Sequence, residues 1–132
     1  FENRSQKIQI KDKKIILDAY NANPSSMESA IKNFYKKFKT DNLLIIGDML
    51  ELGLYSKSAH SNIVELIKTL SFDRVITVGK TFFKINKTPN FFMKFNSTNE
   101  LIKYIKSNKI KESNILIKGS RSLTLEKIIK HL

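Results

Sequence analysis

Short apolar runs alternate in this chain with segments whose apolar residues recur at helical spacing, and no other feature restricts the fold so tightly. Residues 14–17 read as a buried strand that ends at Asp18. Met27, Ala30, Ile31, Phe34, Tyr35 and Phe38 then mark one face of a helix. Residues 42–47 predict a second strand, and Ala59, Ile63, Leu66, Ile67 and Leu70 a second helix. A third strand at residues 74–78 is closed by Gly79, and residues 91–95 read as a fourth, followed by a helix from Ser97. Residues 114–118 predict a fifth, stopped by Gly119, and Leu125, Ile128, Ile129 and Leu132 mark a final helix. Ser25-Ser26-Met27-Glu28 and Ser97-Thr98-Asn99-Glu100 both have the form of a capping box, in which a serine hydroxyl and a glutamate carboxylate satisfy free amides at a helix start.

Strand followed by helix with short connections implies a mostly parallel sheet covered by helices on both faces. Near-continuous apolar strands such as Leu43-Leu44-Ile45-Ile46 agree, because a strand buried on both sides needs no alternation. The expected fold is therefore a three-layer, Rossmann-like α/β domain over residues 14–132. Residues 1–13 are polar apart from Ile8 and Ile10, which fits an edge strand or an interdomain junction.

Composition sets the outer limits. The 132 residues suffice for one domain with a real core and not for two ordinary ones. Hydrophobic residues at 41% and charged residues at 27% fit a soluble globular chain rather than a disordered one. No apolar run is long enough to span a bilayer, and Phe1-Glu2-Asn3-Arg4 does not resemble a signal peptide. The absence of cysteine excludes disulfides and thiolate metal sites and fits a cytoplasmic location. With His60 and His131 as the two histidines, no histidine metal centre is expected. The net charge of +12 raises the question of nucleic acid. Its source is 21 lysines against three arginines, scattered over helix faces and loops rather than gathered with aromatics. A solvated surface accounts for that pattern, and nucleic acid is not the expected partner.

In open parallel sheets, ligands bind beyond the carboxyl ends of the strands. Three polar loops fall there: residues 18–24, 47–53 and 119–122. Such loops need Gly, Asn, Asp and Pro simply to turn, so composition alone does not make them a site. Neither G-x-x-x-x-G-K-[ST] nor a G-x-G-x-x-G after the first strand occurs, so the chain brings no P-loop and no dinucleotide fingerprint.

As whole strings the loops say more. Asp18-Ala19-Tyr20-Asn21-Ala22-Asn23-Pro24-Ser25-Ser26-Met27, Gly47-Asp48-Met49-Leu50-Glu51-Leu52-Gly53 and Lys118-Gly119-Ser120-Arg121-Ser122 stand in that order, each at a strand end. They resemble the D-x-Y-N-A-N-P-x-S-M, G-D-M-x-E-L-G and K-G-S-R-S signatures of the C-terminal domain of Mur ligases. Asn21-Ala22-Asn23-Pro24 favours the dipeptide-adding branch over branches with a histidine or lysine in that loop. Asn3-Arg4 matches the arginine at the family's junction between central and C-terminal domains, and His60 has a counterpart in many members.

The resemblance implies an ATP-dependent ligase of three domains. The N-terminal domain binds a UDP-sugar, the central P-loop domain holds ATP and Mg2+, and the C-terminal domain closes over both and presents the amino component. UDP-N-acetylmuramoyl-tripeptide would be activated as an acyl phosphate and attacked by the amine of D-alanyl-D-alanine. Closure protects that intermediate from water. Carried over by position, Arg4 and Asp18 would meet the nucleotide, with Tyr20, Asn21 and Asn23 completing that lobe. Asp48, Glu51, Gly119, Ser120 and Arg121 would lie near the amino substrate, with the Arg121 fork and the start of the final helix holding its carboxylate. Alternatives remain at several positions: turn-forming asparagines, Asp48 or Glu51 as a cap or as a partner of Arg121, and His60 in packing or capping rather than as a base. No residue here is assigned as catalytic and none as a metal ligand, and the domain alone is expected to be inactive. Rival readings are another Mur or folylpolyglutamate-type ligase domain, or a non-catalytic Rossmann-like binding domain.

Overall fold

Five apolar strands and one edge strand assemble into a single six-stranded sheet in the computed structural model, which describes residues 5–132. The expectation attached to Arg4 lies outside the described residues. The strands are β1 (Gln6–Ile10), β2 (Lys13–Asp18), β3 (Asn42–Gly47), β4 (Arg74–Val78), β5 (Phe92–Phe95) and β6 (Asn114–Lys118). Their order across the sheet is β1-β2-β6-β3-β4-β5. Every pairing is parallel except β1 with β2, an antiparallel hairpin at the edge. Within the polar segment before residue 14, Gln6–Ile10 form that edge strand.

Alternate residues of the central strands feed two cores. Leu44, Ile46, Val75 and Leu116 pack under α1 (Pro24–Lys37), α2 (Ser56–Lys68) and the short α3 (Lys80–Phe83). Leu43, Ile45, Ile76, Ile115 and Ile117 pack under α4 (Thr98–Ser107) and the C-terminal turns on the other face. All six residues of β3 are buried, as its unbroken apolar run predicts. The three-layer α/β reading holds.

Local details depart from the sequence reading in three places. The cap of α1 is Asn23, not Ser25: its Oδ1 accepts from the Ser26 amide at 2.9 Å, while the Ser26 hydroxyl accepts from the Asn23 amide. Pro24 at the first helical position fixes the start there, since it has no amide to satisfy. Glu28 instead pairs with Lys32 one turn on. At α4 the Ser97 hydroxyl accepts from the Glu100 amide as expected, but the Glu100 carboxylate bonds the Asn96 amide rather than that of Ser97.

The final helix is not α-helical. It is two 3-10 segments, Arg121–Leu123 and Leu125–His131, separated by Thr124 at φ +51°. Leu125 and Ile128, three residues apart, both point into the core, the spacing a three-residue turn presents to one side. The loop at residues 119–122 therefore does not open an α-helix, and no α-helix dipole from the segment that follows points at it.

A cleft where three loops meet

β6 lies between β2 and β3, so the loop that follows it is flanked by the loops that follow those two strands. Side chains of the Lys118-Gly119-Ser120 segment tie to both. Asp18 and Lys118 are cross-strand neighbours at the ends of β2 and β6. Lys118 Nζ lies 2.6 Å from Asp18 Oδ2 and donates to the Asn21 carbonyl at 3.1 Å. Its side chain is 2% exposed, that of Asp18 17%. A buried ammonium is tolerated only when paired and hydrogen-bonded, and here both conditions are met.

Ser120 turns the other way. Its hydroxyl donates to the Asp48 carbonyl at 2.6 Å, and its amide donates to the same oxygen at 3.3 Å. Between these ties Gly47 and Gly119 pass in close contact. A Cβ on Gly119 would stand 3.0 Å from Gly47 Cα and 2.5 Å from a Leu125 methyl. The small size of Gly47 and Gly119 permits that approach.

The Asp48 carboxylate faces away from the cleft. It is buried, and its two oxygens accept from the amides of Thr81 and Phe82 at 2.8 and 2.9 Å, capping α3. Gly79 makes room for it: a Cβ there would fall 2.3 Å from the carboxylate carbon. Asp48 is thus a cap, though of a helix after β4 rather than of the turn that follows it. His60 is fully buried beside it. Its Nε2 accepts from the Met49 amide at 3.0 Å, so the proton sits on Nδ1, which donates to the Ser56 carbonyl at 2.7 Å. With Nε2 so used, the 3.8 Å approach of Asp48 Oδ1 is not an ion pair. Phe82 packs against the ring edge-on at 4.6 Å. This is the packing role weighed against general base.

What remains open is a cleft of about 540 Å3, lined by Tyr20, Asn21, Ala22, Leu50, Glu51, Ser120, Arg121 and Ser122. It collects residues of all three signatures. Arg121 is exposed and pairs with neither Asp48 nor Glu51 among the described residues; its guanidinium lies over the Tyr20 ring, 5.0 Å from the centroid. Glu51 stands exposed at φ +61°, a left-handed conformation uncommon for a residue with a side chain. Of the candidates from sequence, Tyr20, Asn21, Glu51, Ser120 and Arg121 line the cleft. Asp18 is held by Lys118, Asn23 caps α1, Asp48 caps α3, and Gly119 serves the strand contact. A larger groove of about 780 Å3 runs between Gly53 and Lys87 and holds none of these residues.

Lys118 stands in the third signature, and the resemblance assigns it no role. The signal was present: a lysine at the end of Ile115-Leu116-Ile117, in a strand read as buried, demands a partner at the neighbouring strand end.

A Rossmann-like domain with a three-loop cleft at the carboxyl edge of its sheet carries that cleft where open parallel sheets bind ligands. The chain belongs to the family of the Mur ligase, glutamate ligase domain, whose model matches residues 3–121. It is 37% identical over 97% of its length to the UDP-N-acetylmuramoyl-tripeptide–D-alanyl-D-alanine ligase of Rickettsia prowazekii, covering 29% of that protein. The ligase of the same name from Bacillus subtilis is 35% identical over 89% of the chain, which covers 27% of it. Among solved structures, MurF of Acinetobacter baumannii superposes with a TM-score of 0.81 at 27% identity, over 98% of this chain and 29% of that one. MurF of Thermotoga maritima, solved with ADP, shares the fold with a TM-score of 0.77 at 20% identity, over 98% and 30%. The chain thus spans less than a third of the length of each of these relatives.

Proposed function

We propose that this chain is the C-terminal domain of an ATP-dependent ligase that joins D-alanyl-D-alanine to UDP-N-acetylmuramoyl-tripeptide, and that its three-loop cleft receives the dipeptide. The observation that carries this reading is the convergence of the three signature loops on one open cleft holding both a cation, Arg121, and an anion, Glu51. An amino-acid-like substrate offers a carboxylate and an amine. A guanidinium fork suits the first through two parallel hydrogen bonds, and a carboxylate suits the second. The matching relatives named for D-alanyl-D-alanine ligation support the choice of dipeptide.

ATP supplies the phosphoryl group that activates the acceptor carboxylate. In the proposed three-domain enzyme, Mg2+ and the triphosphate are held mainly by a central P-loop domain, in keeping with a sequence here that carries no phosphate-loop motif. What this chain offers a nucleotide is an acceptor, Asp18, with Oδ2 bonded to Lys118, together with a phenol and an amide at Tyr20 and Asn21. Those groups fit ribose hydroxyls better than phosphates. Arg4 and Asn23 complete the proposed lobe, Asn23 with its Oδ1 already committed to the helix cap. The cleft residues bind and orient the dipeptide, and closure of this domain over the central one excludes water from the acyl phosphate.

The experiment is a ligation assay on the full-length protein with ATP, Mg2+ and UDP-N-acetylmuramoyl-tripeptide. Product heavier by one dipeptide, formed with D-alanyl-D-alanine and not with single amino acids, is the expected result. Turnover with a single amino acid and none with the dipeptide would assign the domain to another branch of the family.

A further inference from the structure

We infer that Lys118 is a positioning residue for nucleotide use, acting through Asp18 rather than by touching the nucleotide. The inference rests on the reading of residues 18–23 as the nucleotide lobe. Lys118 is buried at the end of the central strand β6 and cannot itself reach a ligand in the open cleft. Two of its three donors are spent on one loop, at Asp18 Oδ2 and the Asn21 carbonyl. The ammonium thereby fixes the rotamer of the carboxylate, so that Oδ1 has one presentation. The backbone of residues 18–21 is tied to β6 by the same contact. Two residues on, Ser120 ties the same strand end to the Asp48 carbonyl of the second loop. One short segment therefore sets the first and second loops relative to each other, and Lys118 is the half that acts on the nucleotide side.

A lysine held only to stabilise the fold would behave differently from one that orients Asp18. Its loss would lower the melting temperature and the active fraction, yet leave the ATP KM of the folded enzyme where it was. The test is a double-mutant cycle in the full-length ligase, using Asp18→Asn, Lys118→Met and the pair, read as ATP KM and dipeptide KM. Asp18→Asn should raise the ATP KM about tenfold, the worth of one charge-assisted hydrogen bond. Lys118→Met should raise it severalfold, by a larger factor than it raises the dipeptide KM, and the ATP KM of the pair should match that of Asp18→Asn alone. A rise in the pair equal to the product of the single rises would overturn the inference, as would an unchanged ATP KM in Lys118→Met while Asp18→Asn shows its rise. An unchanged ATP KM in Asp18→Asn would instead bring down the nucleotide reading of Asp18, and this inference with it. Should Lys118→Met alone not fold, the pair removes both charges together, and comparison with Asp18→Asn decides: equal ATP KM supports the inference, a further rise refutes it.

Discussion

The guanidinium of Arg121 lies over the ring of Tyr20, 5.0 Å from its centroid, joining the third signature loop to the first in the cleft. Among the described residues the guanidinium makes no hydrogen bond or ion pair, so its donors are not committed to another side chain. An arginine so held loses less rotamer freedom when it binds an anion than one free in solvent. Tyr20 therefore lines the cleft proposed for the amino substrate, although the resemblance to Mur ligases implies a place for it in the nucleotide lobe.

Tyr20→Ala should raise the dipeptide KM of the full-length ligase about two- to fivefold, the equivalent of roughly 0.5–1 kcal/mol for an exposed cation–π contact. Tyr20→Phe keeps the ring face and should leave it near the parent value. Equal losses in both variants would show that the hydroxyl, not the ring face, is what matters.

His60→Ala should destabilise the domain by about 2–4 kcal/mol, because it strands the buried Met49 amide and frees a carbonyl at Ser56 while opening a void beside Phe82. Thermal unfolding reads the loss, and turnover per folded molecule should survive. Abolished turnover with an unchanged melting temperature would make His60 a catalytic base after all.

Gly79→Ala and Gly53→Ala separate two reasons for glycine. Gly53 has φ +56° and nothing within 4 Å of an added Cβ, so its alanine variant should lose about 1 kcal/mol from backbone strain alone. At Gly79, φ +120° is joined by a Cβ driven into the Asp48 carboxylate, which would cost the α3 cap as well. A loss of about 3 kcal/mol or more is expected there by denaturant unfolding. Comparable losses at the two sites would mean that the Asp48 cap contributes little.

Periodicity made the layers and five of the six strands legible, because strands buried on both faces and helices buried on one leave different apolar spacings. The four-residue α3 was not legible, since one turn carries no period and its start depends on a carboxylate from another loop. Asn23 was open to misreading because Ser25 and Glu28 offered the same motif two residues later, and Pro24 decided between them. The signature strings located the cleft. They did not tell which side chains face it, since Asp48 and Glu51 lie in one loop and only three dimensions separate the cap from the exposed carboxylate.

Arg121→Lys in the full-length ligase tests the central claim, that the three-loop cleft receives the dipeptide. The substitution keeps the charge and removes the planar fork, and at an exposed position it should leave the fold intact. The account expects the dipeptide KM to rise about tenfold or more while the ATP KM and the melting temperature barely move. An unchanged dipeptide KM, with the melting temperature lowered instead, would assign Arg121 to holding the loops together and would contradict the claim.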